Sequence, residues 1–130
     1  NGVAGHAGLF STAGDLAKLM SVYVNKGKYG EQQIFNSHTV DEWTTDHYDK
    51  GNRAYGWGTN SEGYSSNGRK FSDESFGHTG FTGTSIWTDK KRGLFVILLT
   101  NRVHPTRENT KIIDFRPELH NAVVEAVKYF

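Results

Sequence analysis

The segment Gly77-His78-Thr79-Gly80-Phe81-Thr82-Gly83 carries the residue types best suited to chemistry in this chain. His78 is an imidazole, neutral or charged near physiological pH according to its surroundings. Thr79 sets a hydroxyl, donor and acceptor at once, beside it. Gly80 leaves the backbone bare, so another chain can lie against it. Two strand-like runs follow, Thr84 to Thr88 and Leu94 to Thr100. Taken alone, His-Thr-Gly reads equally well as an ordinary glycine-rich start to a strand.

Other chemistries find little support. There is no Cys, so thiolate catalysis and disulfides are excluded. The six His residues include no pair at the helical spacing of a zinc site, and neighbouring carboxylates form no cluster. No metal and no cofactor are expected. The net charge is +1, from 15 basic and 14 acidic residues, which gives no electrostatic case for nucleic acid. The longest apolar run, Leu94 to Leu99, is strand length, far from the roughly 20 residues of a membrane span. Hydrophobic content is 35%, low for a free-standing domain, with aromatics at 13% offsetting it in part.

The elements that must position the His78 segment can be outlined from pattern. Residues 1–50 read as a helical part, 51–76 as loop-rich, and 77–130 as a strand hairpin plus a closing helix. Asn1 to Phe10 is a glycine-rich loop. Thr12 and Asp15 have capping-box spacing, and Leu16, Leu19, Met20, Tyr23 and Val24 then mark one helix face, stopped at Gly27. Ser37 caps a second helix through Trp43. Tyr55-Gly56-Trp57-Gly58 reads as a short strand, and Thr59 to Ser75 as a mostly exposed loop or loose hairpin. Leu94 to Leu99 is apolar throughout, so both faces are expected to be buried. Pro117 fits the first turn of the last helix, whose stripe is Leu119, Ala122, Val123, Ala126, Val127 and Phe130. The fold class is α+β, an antiparallel sheet with packed helices.

Four features together resemble the C-terminal portion of the serine beta-lactamase and penicillin-binding-protein superfamily, in its class C-like branch of esterases and D-aminopeptidases. They are Gly8-Leu9-Phe10-Ser11-Thr12-Ala13-x-Asp15-Leu16, Gly77-His78-Thr79-Gly80, the strand ending Leu99-Thr100-Asn101-Arg102, and the closing helix. The resemblance implies one partial domain over residues 1–130, the C-terminal part of a beta-lactamase-like (DD-peptidase) fold. Family enzymes carry a Ser-x-x-Lys nucleophile, a Tyr-x-Asn or Ser-x-Asn second motif, and Lys-Thr-Gly as the third. Here His78 stands where the third motif has Lys, as in members of the branch that are not lactamases. None of the nine Ser residues is followed three positions later by Lys, so the nucleophile is expected upstream of Asn1. Tyr23-Val24-Asn25 spells the second motif but follows the Gly-Leu-x-Ser-Thr segment instead of preceding it, and reads as core packing.

The resemblance assigns roles residue by residue. The Phe81 backbone N–H is one oxyanion donor, the other being the nucleophile's own N–H. His78 orients or polarises the catalytic groups. Thr79 offers its hydroxyl to a substrate carboxylate or to the upstream Tyr, and Gly80 keeps the wall bare. His6, near the rim, either touches substrate or is a loop residue with a backbone partner. A hairpin register with Thr88 opposite Leu94 sets His104 level with His78 and Asn101 level with Phe81. Asn101, Arg102 and His104 are then substrate-binding candidates. Arg102 and Arg107 are either anion binders or solvated strand-end charges.

The resemblance implies a fragment of a bacterial serine hydrolase acting on an amide, peptide or ester bond. Its substrate in the full-length protein is a small molecule or is derived from peptidoglycan. An extracytoplasmic site, an inactive isolated fragment, and self-association through the incomplete sheet are further expectations. The alternative is a non-catalytic beta-lactamase-like module fused to a glycoside hydrolase such as a beta-N-acetylhexosaminidase, which the wording Asn101-Arg102-Val103-His104-Pro105 resembles. A small standalone α+β interaction domain is the third reading.

Overall fold

The computed structural model describes residues 7–48, 51–60 and 65–127. His6 and Phe130 lie outside them.

Thr12 starts α1 (Ala13–Val24). Its Oγ1 accepts from the Asp15 N–H at 3.2 Å, an N-cap, and donates to the Asp15 carboxylate at 3.0 Å, so the reciprocal bond runs to the hydroxyl and not to the backbone N–H of a full capping box. Gly27, at φ +90°, stops the helix by donating its N–H to the Val22 carbonyl at 2.7 Å. A two-residue hairpin, β1 (Lys28–Tyr29) and β2 (Gln32–Gln33), leads to α2 (Ser37–Thr44). The cap of α2 is Asn36, not Ser37: the Asn36 carbonyl oxygen Oδ1 accepts from the His38 N–H at 2.9 Å.

Four antiparallel strands follow in spatial order β3-β4-β5-β6: Gly58–Thr59, Ser75–Thr79, Ser85–Asp89 and Leu94–Leu98. The first differs from expectation, because Tyr55-Gly56-Trp57 forms a bend and pairing with β4 begins only at Gly58. The His78 segment also differs. The sequence pattern places His78 to Gly80 at the opening of a strand antiparallel to Leu94–Thr100; instead His78 and Thr79 close β4 and face Ile86 and Ser85 of β5. The chain reverses at 80–84, where the Gly80 N–H meets the Thr84 carbonyl at 2.7 Å and the Gly83 N–H meets the Gly80 carbonyl at 3.1 Å. In the β5–β6 hairpin Asp89, not Thr88, faces Leu94. Because this turn separates His78 from β5, the register does not set His104 level with His78 or Asn101 level with Phe81.

Strand alternation sorts the side chains onto two faces. One carries Phe76, His78, Ile86, Thr88, Phe95 and Ile97, and α1 packs on it. Met20 Sδ accepts from Thr88 Oγ1 at 3.6 Å, and the Tyr23 ring lies 5.6 Å from Trp57 and 5.7 Å from Phe76. Tyr23 therefore packs against core rings while remaining half-buried. Phe76 is fully buried here, worth about 2–3 kcal/mol. The other face carries Trp87 and Val96, which join Phe71 and Val124 in a core beneath α3 (Ile112–Val127).

Helix α3 begins earlier than its proline implies, so Pro117 lies inside it. Its buried positions are Arg116, His120 and Val124, whereas Ala122, Ala126 and Val127 are exposed. Polar residues take the inward stripe because each finds a carbonyl: Arg116 reaches those of Gly80 and Thr84, and His120 Nδ1 lies 2.9 Å from that of Ser66. Burial holds the His120 ring below its ordinary value despite these acceptors. Residues 65–74, expected to be mostly exposed, dock the same way. Asn67 and Phe71 are buried, Trp87 Nε1 donates to Ser66 Oγ at 3.0 Å, and Asn121 Oδ1 accepts from the backbone of Arg69 and Lys70. Strand β6 is the outer strand of the sheet, and only Val96 within it is buried; an edge strand receives less cover than the central position expected for so apolar a run.

Candidate functional site

Strand β3 pairs with β4 only at Phe76 and Gly77. From His78 onward the outer edge of β4 has no strand partner among the described residues. A cleft of about 750 Å³ lies alongside, lined by His78, Thr79 and Gly80, by Thr82 and Thr84 of the turn, by Ile86, and by Leu99, Thr100 and Asn101. Leu9, Phe10, Leu16 and Trp57 form its apolar side. No lining side chain among the described residues carries a permanent charge, so the cleft recognises mainly by shape, apolar contact and hydrogen bonds. An extended chain laid along β4 would meet backbone groups, a hydroxyl and an imidazole in succession.

His78 is exposed, with Nδ1 2.8 Å from the Thr79 carbonyl. A carbonyl only accepts, so Nδ1 carries a proton, and in the neutral form of the ring the lone pair is on Nε2. Nε2 has no partner among the described residues.

The turn after Gly80 is built tightly. A Cβ on Gly80 would collide with Thr84 Oγ1, and Gly83 adopts φ +115° with Thr100 Oγ1 against the position of its missing Cβ. Gly83 is therefore required by the hairpin itself, whereas a side chain at Gly80 would force the Thr84 hydroxyl to move. The Phe81 N–H has no intramolecular acceptor among the described residues, as an oxyanion donor requires. The Phe81 ring is 67% exposed, with the Arg102 guanidinium 4.5 Å from its centroid.

The remaining candidates separate. Asn101 lines the cleft. Arg102 lines a different cavity of about 280 Å³ behind the turn, together with Phe81 and Arg116. Its Nε donates to the Phe81 carbonyl at 2.8 Å, and Nη1 donates to those of Arg107 at 2.7 Å and Asn109 at 3.3 Å. Arg107 lies 5.9 Å from the Phe81 ring. His104 is exposed and lines neither cavity. A third cavity, about 170 Å³, shares His78 and Thr79 and adds Arg53 and Ser66. Sequence reasoning missed Arg116 and the apolar wall formed by Leu9, Phe10 and Trp57. The only available signal for Arg116 was its place four residues before His120 on the last helix.

Among the described residues no group of His, Asp and Glu could hold a metal ion, and no helix is long and apolar enough to cross a membrane.

Comparison with known proteins fits this geometry. A protein of Escherichia coli (strain K12), provisionally named D-alanyl-D-alanine carboxypeptidase, is 39% identical over 105 residues, covering 79% of this chain and 24% of its own length. A Salmonella typhi protein under the same provisional name is 36% identical over 113 residues, 85% of this chain and 26% of its own. The N-acetylmuramyl-L-alanine amidase of Bacillus subtilis (strain 168) is 37% identical over 131 residues, 99% of this chain and 28% of its own. The chain thus spans about a quarter of the length of these relatives. The family model described as Beta-lactamase matches residues 1–120, and the chain belongs to the Beta-lactamase family.

Proposed function

We infer that this chain is the C-terminal part of a beta-lactamase-like serine hydrolase that cleaves an amide, peptide or ester bond in bacterial cell-wall material outside the cytoplasm. The carrying observation is the open edge of β4, where His78, Thr79 and Gly80 line one cleft; Phe81, the next residue, lines the cavity behind the turn and keeps an N–H without an acceptor among the described residues. The carboxypeptidase and amidase names of the relatives support a peptidoglycan-derived substrate.

In this reading a serine from outside the chain attacks the substrate carbonyl through Oγ. The new C–O bond forms as the carbonyl π pair moves onto oxygen, and Phe81 N–H stabilises that oxyanion. Collapse expels the amine or alcohol, which leaves with a proton, and water then releases the acyl group. The Nε2 of His78 accepts a hydrogen bond from the catalytic or leaving group. Thr79 donates to a substrate carboxylate or to the upstream Tyr. Asn101 contacts the acyl part, and Arg102 shapes the rim through Phe81.

The test is an assay of the full-length protein against a muramyl peptide ending in D-Ala-D-Ala, a muramyl-L-alanine amide, nitrocefin and p-nitrophenyl acetate. Turnover of a peptide, amide or ester with slow or absent nitrocefin hydrolysis supports the proposal. Inertness towards all four would favour a non-catalytic module.

A further inference from the structure

We propose that Arg116 is a positioning residue: it locks the Gly80–Phe81 peptide so that the Phe81 N–H faces the open edge of β4. This rests on the acyl-transfer reading above, in which that N–H receives the oxyanion.

Arg116 comes from α3, 36 residues away in sequence from Gly80, and is only 8% exposed. Its Nη2 donates to the Gly80 carbonyl and to the Thr84 carbonyl, each at 3.0 Å. The Gly83 N–H also donates to the Gly80 carbonyl, at 3.1 Å. Both lone pairs of that oxygen are therefore engaged, and the direction of the C=O bond is fixed. The Gly80–Phe81 bond is trans, since the cis bond among the described residues lies at His104-Pro105. In a trans peptide the N–H points opposite to the C=O. The carbonyl is turned into the hairpin and towards α3. The Phe81 N–H must then be turned away from both, towards the side of β4 that β3 leaves uncovered beyond Gly77.

Turning this peptide over would take an acceptor from a guanidinium that is almost out of water and break the bond from Gly83. Arginine suits the task because its weakly hydrated, planar head buries more readily than an ammonium. Arg102 fixes the following stretch separately, with its Nε on the Phe81 carbonyl and its backbone N–H on the Thr82 carbonyl, both at 2.8 Å. The donor is thus set in advance by contacts from residues that do not line the cleft.

The experiment compares acylation by p-nitrophenyl acetate in the full-length protein and three variants: Arg116→Met, Arg116→Lys, and one whose Phe81 amide is replaced by a backbone ester, which removes the N–H and also weakens the Gly80 carbonyl as an acceptor. Loss of the N–H should lower kcat about 100-fold, the usual effect of deleting one oxyanion donor. Arg116→Met should lower kcat by about 10- to 100-fold, as a displaced donor does, with KM within about 3-fold of wild type. Arg116→Lys should fall between. Combining Arg116→Met with the backbone ester should be no slower than the ester alone, because both remove the same interaction. A folded Arg116→Met with wild-type kcat, or a penalty that multiplies fully with that of the ester, would overturn the positioning role. If Arg116→Met does not fold, Arg116→Lys decides: kcat lowered at least about 5-fold at unchanged KM upholds it, and wild-type kcat overturns it. Wild-type kcat in the backbone ester is a different failure, that of the acyl-transfer reading itself.

Discussion

Ser72 and Asp89 are joined twice: the Ser72 N–H donates to one carboxylate oxygen at 2.9 Å and its hydroxyl to the other at 2.7 Å. Arg92, just beyond β5, adds its own N–H at 3.1 Å and its guanidinium. This knot ties the 65–74 loop to the β5–β6 turn. Burial pushes the Asp89 carboxyl up, but the donors from Ser72 and Arg92 outweigh it, and the group lies below its ordinary value. A lowered carboxyl contributes stability that is present above the unfolded value, about 3.9, and lost as pH falls below it through the folded value. Asp89→Asn should cost about 2–4 kcal/mol at neutral pH, because its NH₂ would oppose donors. Thermal unfolding of both proteins from pH 7 to pH 3 checks this. The variant should also lose part of the acid sensitivity, and an unchanged acid slope would count against the knot.

His120 acts in a second pH range. Its ring is fully buried against Phe71, at 5.7 Å between centroids, and burial lowers its affinity for a proton. The unfolded chain, with a His near 6.5, binds the proton first, so stability should be full above that pH and decline below it. His120→Phe should be less stable at pH 7.5 through the loss of the Ser66 partner, yet show a smaller drop between pH 7.5 and 5.5. Denaturant midpoints at the two pH values measure it, and an equal drop in both proteins would refute it.

Much of the site was legible because its parts lie next to each other in sequence. His78, Thr79, Gly80 and Phe81 are consecutive, and Asn101 ends a run whose apolar pattern marks it as a strand. The N-cap at Thr12 and the stop at Gly27 are local signals, and they form as read. What was not legible depends on partners far away in sequence. The docking of 65–74 relies on Asp89 and Asn121, so a polar composition that looks like a solvated loop instead supplies hydrogen bonds to a core. The inward stripe of α3 is hidden for the same reason, since counting apolar residues passes over a buried Arg116 and His120. The reversal at Gly80–Thr84 is not legible locally, because Thr-Gly-Thr is compatible with strand or turn. The close fit of Thr84 to Gly80 and of Thr100 to Gly83 decides it.

The outer edge of β6 has no strand partner among the described residues, and its side chains other than Val96 are half-buried. Unpaired edges rich in apolar residues recruit other chains. The 130-residue chain should therefore associate at tens of micromolar in sedimentation velocity. A monodisperse monomer at high concentration would favour the standalone-domain reading.

At the wall itself, His78→Ala in the full-length protein should lower kcat/KM about 10-fold or more, roughly 1.4 kcal/mol, with little change in melting. Gly80→Val should lower both activity and melting temperature, since its side chain would meet Thr84 Oγ1 within the hairpin. Kinetics and melting curves of the two variants separate these effects. Wild-type kinetics in both would mean that the wall is not the active site.

The central claim is that these 130 residues furnish the wall and the oxyanion donor for a nucleophile that lies elsewhere. Labelling the full-length protein with a fluorophosphonate and mapping the modified peptide by mass spectrometry tests it most directly. The account predicts stoichiometric labelling of one serine outside this chain, in a Ser-x-x-Lys sequence, and no labelling of the isolated chain. A label on any serine between Ser11 and Ser85, or no label on the full-length protein, would contradict it.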